Sequence, residues 1–160
     1  MKTFSFRFDI DSLADIGVGV PKLIDLGKEL DVRFTFFVNM GRSFRWSVVG
    51  GQWSAKPETR NVEPDSSLIT HYSATIKKLG FWRTFRTVIF NPNIGLTHRK
   101  TLFKLLDDGH ELGLHGGMDH PLWQWRLDAL SKGEIDSSLK PAYDHFVDLF
   151  GRPKGFASPG

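Results

Sequence analysis

Apolar and polar residues alternate from Thr3 to Asp9, with Phe4, Phe6 and Phe8 on one side and Ser5, Arg7 and Asp9 on the other. A period of two is that of a strand. Gly17 and Gly19 then interrupt the pattern, and Pro21 suits the first turn of a helix. Val20, Leu23, Ile24, Gly27 and Leu30 recur at helical spacing and predict one stripe facing a core. Alternation returns over Val32–Met40, where Val32, Phe34, Phe36, Val38 and Met40 share a face, and Phe37 makes the opposite face partly apolar. Strand, helix and strand with short joins read as a βαβ unit with a parallel pair.

The pattern loosens from Gly41 to Gly95, where Gly50-Gly51, Pro57, Pro64 and Asn91-Pro-Asn93 mark loop. Inside this stretch Trp82, Phe85 and Ile89 fit one helical face, with Arg83 and Arg86 turned away from it. Regular order resumes with Leu102, Phe103, Leu105 and Leu106, a helix that Gly109 should stop. Glu111–His115 predicts a short strand, and Ser138–Phe150 a helix with Leu139, Ala142, Tyr143, Phe146 and Phe150 inward. Gly151 and Pro153 end that helix, and Gly155-Phe-Ala-Ser begins a fourth strand.

Composition narrows the chemistry. The 160 residues are 40% hydrophobic and 13% aromatic, enough for one packed domain. No run approaches the roughly 18 apolar residues of a membrane span, and the alternating start lacks a signal peptide's continuous apolar core. With 0 cysteines, disulfides, thiol catalysis and Cys-based zinc sites are excluded, so a metal would have to be held by His, Asp or Glu. The net charge of +3 hides a division. Residues 33–104 carry 12 Lys/Arg against 3 acids, and the rest is acidic. A basic middle fits either an anionic partner or a merely solvated surface. Nucleic acid is not expected, because no recognition motif accompanies the charge.

Asp9 and Asp11 stand where the first strand gives way to its loop, the edge from which α/β enzymes build their sites. Two carboxylates so placed can act as base and metal ligand, or can simply begin a turn. His115 and His120 lie in Gly113-Leu-His-Gly-Gly-Met-Asp-His120, again after a strand. They are either ligands or one buried and one exposed histidine. A parallel sheet would carry both pairs to one rim, and two imidazoles with one carboxylate would leave the other carboxylate to deprotonate water.

Phe8-Asp-Ile-Asp11, Thr35-Phe-Phe-Val38, Gly109-His-Glu-Leu-Gly-Leu-His115 and Phe156-Ala-Ser-Pro-Gly160 occur in the order found in polysaccharide deacetylases, carbohydrate esterase family 4. The chain resembles that family over nearly its whole length. Within it the chain most resembles deformylases of undecaprenyl-phosphate-linked formamido-arabinose, which share the long basic-aromatic insertion, here 41–95. The resemblance implies an α/β fold, the N-terminal part of a distorted (β/α) barrel with parallel strands, forming a single domain over 1–160. It implies metal-dependent hydrolysis of a formyl or acetyl group from an amino sugar, with a divalent metal, zinc foremost. Asp9 matches the catalytic base; Asp11, His115 and His120 match the metal ligands. Asp119 is a candidate to orient a ligand from behind. His110 matches a motif position with no metal role, and His71, His98 and His145 match nothing.

The insertion either packs its aromatics on the barrel or, with Arg83 and Arg86 toward a phosphate, meets a lipid-linked substrate; the expected location is cytoplasmic, at the inner face of the membrane in the second case. Two departures stand out. Four residues separate His115 from His120, where the family commonly has three. The third motif is only begun by Ser158-Pro-Gly160, and the later ones, including the histidine that protonates the leaving amine, are absent. The expectation is therefore an N-terminal half, whose open end could self-associate. The competing readings are a small-amide or ureide hydrolase of the same fold, and a half-barrel that binds an anion without turnover.

Overall fold

The segments of period two become strands, and the helical stripes pack against one face of them. A computed structural model describes residues 6–42, 82 and 92–159. Strands β1 (Arg7–Ile10), β2 (Thr35–Val38), β3 (Glu111–His115) and β4 (Phe156–Ala157) form one parallel sheet in the order β1-β2-β3-β4. Helix α1 (Val20–Leu30) follows β1; α2 (Ile94–Thr97) and α3 (Arg99–Asp107) precede β3; α4 (His120–Arg126) and α5 (Lys132–Phe150) lead to β4. The fold is α/β with parallel strands, as expected, and its sequential strand order is that of neighbouring strands in a (β/α) barrel.

The register makes the two faces unlike. Phe8, Ile10, Phe36, Val38, Leu112 and Leu114 meet Val20 and Ile24 of α1, Leu102 and Leu105 of α3, and Ala142 and Phe146 of α5 in one core. Arg7 and Asp9 align with Thr35 and Phe37 of β2, which align with Glu111 and Gly113 of β3. That second face is polar, as the Thr35 hydroxyl donating to Glu111 at 3.0 Å illustrates. Strand ends Ile10, Val38 and Leu114 lie level, so Asp11 and His115 emerge at one rim.

Several expectations shift. β1 runs on to Ile10, and its residues 3–5 lie outside the described part. β2 is shorter than Val32–Met40, although Phe34, Phe36, Val38 and Met40 are all buried. Leu30 is 57% exposed, because α1 ends there and its last turn overhangs the sheet. Phe6, Phe103 and Tyr143 are likewise exposed, at the margins of the stripes that held them. Helix α5 begins at Lys132 rather than Ser138. Ser131 accepts from the Glu134 N–H and the Glu134 carboxylate accepts from the Ser131 N–H, a capping box that starts the helix two turns before its apolar stripe. Helix α4 was not anticipated. Of the 41–95 segment, residues 43–81 and 83–91, including Arg83 and Arg86, lie outside the described residues, while Trp82 is helical and exposed. Among the described residues no helix is long and apolar enough to cross a membrane.

Candidate metal centre

Asp11 leaves β1 into a turn organised by Asp15. The Asp15 Oδ2 accepts from the Asp11 N–H at 3.2 Å, the Ser12 N–H at 2.8 Å and the Ser12 hydroxyl at 2.7 Å. Three donors on one carboxylate oxygen hold the Asp11 backbone at the rim. His115 ends β3, and Gly116 behind it, with φ +65°, makes the turn that a side-chain-bearing residue would resist.

His120 is placed by packing. Gly41 lies so close against the Met118 backbone that it has no room for a Cβ, and the Met118 N–H donates to Ser138 O at 3.0 Å. The Trp123 indole N–H donates to the Ser138 hydroxyl at 2.9 Å, tying α4 to α5. Asp119 accepts from the Leu122 N–H at 3.4 Å, so it caps the helix whose first residue is His120. It bears on His120 through this helix start.

These elements bring three of the sequence candidates together. Asp11 Oδ1 lies 3.2 Å from His115 Nε2 and 3.1 Å from His120 Nε2, and the three ligand atoms all fall within 4.8 Å of one another. The imidazoles are almost wholly buried, at 2% and 9% side-chain exposure, while Asp11 keeps 38% and faces the opening. Asp9 stands beside them, its Oδ2 3.9 Å from His115 Nε2. Both Asp9 oxygens are engaged by Arg7, Nε to Oδ1 at 2.8 Å and Nη2 to Oδ2 at 2.8 Å.

The donor set fits a divalent cation. His115 Nδ1 is 3.2 Å from Ala157 O, a group that can only accept, so the ring proton sits on Nδ1. Burial pushes the His115 ring below its ordinary pKa, against an opposing pull from Asp11, and so favours the neutral ring. Its Nε2 then presents a lone pair to a carboxylate oxygen that also presents one, an arrangement stabilised by a cation between them. His120 Nε2 is buried and, among the described residues, makes no hydrogen bond. Two donors about 2.1 Å from one ion lie roughly 3.0 Å apart at a right angle and roughly 3.4 Å apart at the tetrahedral angle. The measured 3.1 and 3.2 Å fall between.

This chain is similar to a probable deformylase. It is 28% identical over 152 residues to the probable 4-deoxy-4-formamido-L-arabinose-phosphoundecaprenol deformylase ArnD of Shewanella sediminis (strain HAW-EB3). The match covers 92% of this chain and 45% of the relative, so the chain spans about half the length of the protein it matches. No family model matches.

Three contributors were not foreseen as parts of the site: Arg7, Phe37 and Asp15. Arg7 carried a signal, since strand alternation already put it on the same side as Asp9. Asp15 stands at capping distance from Ser12, a local pattern that reads equally well as an ordinary helix start.

Proposed function

We propose that this chain carries the metal-binding part of a hydrolase that removes an N-formyl or N-acetyl group from an amino sugar. The observation that carries the reading is the trio Asp11, His115 and His120, its lone-pair atoms converging at 3.1–3.2 Å beside the separately held Asp9. A divalent ion, zinc foremost, held by Asp11 Oδ1, His115 Nε2 and His120 Nε2 supplies Lewis acidity toward an amide carbonyl and its attacking water. Asp9 is the base. Its Oδ2 faces the trio and keeps a lone pair beyond the one engaged by Arg7, so it can take the water's proton. His115 is held neutral and oriented by Ala157 O, and Asp11 by the Asp15 turn, so neither ligand must reorganise when substrate arrives. The proton taken by Asp9 passes to the departing nitrogen as the C–N bond breaks, giving the free amine and formate or acetate.

The relative's name specifies a formamido sugar on phosphoundecaprenol. We extend the proposal to a lipid-linked substrate of that kind, with Arg83 and Arg86 of the basic segment as candidates for its phosphate on sequence grounds.

Metal analysis of untagged protein tests the reading. About one equivalent of zinc or cobalt is expected per chain, lost in His115→Ala. Asp9→Asn should keep the ion and lose formate or acetate release from N-acylated amino sugars. Folded protein that takes up neither metal after loading sinks the proposal.

A further inference from the structure

Two carboxylates two residues apart, Asp9 on β1 and Asp11 just past its end, both approach His115, yet only Asp11 is at ligand distance. Asp9 Oδ2 stops 3.9 Å from His115 Nε2, against 3.2 Å for Asp11 Oδ1. The reason lies on the polar face of the sheet. Arg7 and Asp9 project on the same side of β1, and the guanidinium folds back so that two parallel N–H groups take both Asp9 oxygens at 2.8 Å. The fork is itself seated: its Cζ lies 5.1 Å from the centroid of the Phe37 ring, and Phe37 is the register partner of Asp9. The ring in turn lies close against the backbone of β3 and of the residue that precedes β4. A Cβ on Gly113 would come within 2.6 Å of it, and one on Gly155 within 3.4 Å. Glycine at both places leaves the space that lets Phe37 lie there.

We infer that Arg7, seated on Phe37, is a positioning residue that keeps Asp9 out of the metal's ligand set. The inference rests on the function proposed above. A catalytic ion needs an open coordination position, whereas an ion with a fourth protein ligand is closed and structural. Released from the fork, Asp9 has only a short gap to cross, and nothing in its charge distinguishes it from Asp11 as a ligand. The fork thus divides two like carboxylates into one ligand and one base. It uses only part of the lone-pair capacity of Asp9, which stays able to accept a proton.

Cobalt(II) titration followed by its visible d–d spectrum tests this without reference to turnover. Arg7→Met should shift the bands and tighten cobalt binding about tenfold, the scale on which residues behind a ligand alter metal affinity. Arg7→Lys, which keeps the charge without the fork, should move both in the same direction by less. Adding Asp9→Asn to Arg7→Met should restore the wild-type spectrum and affinity, which a general loosening of the fold would not do. Should Arg7→Met lack the wild-type circular dichroism, Arg7→Lys with and without Asp9→Asn carries the comparison. Wild-type protein that binds cobalt while the Arg7 variants match it overturns the inference alone, as does a shift that persists without the Asp9 carboxylate. Wild-type protein that binds no cobalt overturns the inference and the proposed function together.

Discussion

Gly113→Ala tests how tight the seat under Phe37 is. The new Cβ would sit 2.6 and 2.7 Å from two carbons of the Phe37 ring and 2.9 Å from Gly155 O. Ordinary carbon contacts are about 3.5–4.0 Å, so the ring would have to retreat by roughly an ångström and the Gly155 carbonyl oxygen by less. The ring has the Arg7 fork on it, and Gly155 O accepts the Leu114 N–H at 3.0 Å, so neither retreats without loosening a contact. Overpacking of this kind costs about 1–3 kcal/mol. Replacing glycine in a strand returns about 0.5–1 kcal/mol, leaving a net loss of about 1 kcal/mol at the middle of these ranges. For a chain of this size that is a fall of about 2–4 °C in Tm. Thermal and urea melts in chelator would measure it free of metal linkage. Gly133→Ala in α5, where a Cβ meets nothing within 4 Å, is the matched control and should be neutral or slightly stabilising. A Gly113→Ala protein as stable as wild type would refute the packing argument.

His110 gives a pH signature. Its Nδ1 accepts the Phe34 N–H at 3.2 Å, its ring stacks on Phe34, and burial holds its pKa below the ordinary value. Because the folded pKa lies below the unfolded one, stability is undiminished above about pH 6.5. It falls as acid protonates the unfolded chain first. The metal-free urea midpoint should therefore drop between pH 7.5 and 5.5, and less steeply in His110→Gln; an unchanged slope would exclude this role. Ser131→Ala removes the capping box of α5 and should cost about 1 kcal/mol in the same melts, with no change in cobalt affinity.

Residues that obey a local period were legible. Glu111–His115 is the strand that its pattern predicted, and the core face of β2 is the one that alternation picked out. That the Asp9/Asp11 and His115/His120 pairs share one rim was legible because strand ends in a parallel sheet converge there, whereas the assignment of Asp11 rather than Asp9 to the imidazoles came from the family resemblance alone. What escaped was set by capping or by side-chain geometry. Helix α4 has only seven residues, too few to establish an apolar period, and its start is signalled by Asp119 and Pro121 alone. The first two turns of α5 are polar and mostly exposed, so hydrophobic spacing places its start too late. The Arg7 fork depends on a rotamer, and the seat of Phe37 depends on one glycine in β3 and another just before β4. Alternation shows that Arg7 shares a side with Asp9 but not that it grips both oxygens.

Asp11 directly follows β1 and His115 ends β3, strands that do not touch, since β2 lies between them and β1 pairs within the described sheet with β2 alone. An ion shared by Asp11, His115 and His120 would bridge over the top of β2 and close a loop running from residue 11 to residue 115. In a chain with 0 cysteines that is a cross-link no disulfide supplies, and unlike a disulfide it would act by binding the native state, since the unfolded chain holds no preformed site. Free metal at a hundred times its Kd would add about 2.7 kcal/mol by mass action. Chelation would undo the clasp at the sheet's margin, so the strand bearing Arg7, Asp9 and Asp11 would fray first, and loss of the ion and dispersal of the machinery would be one event.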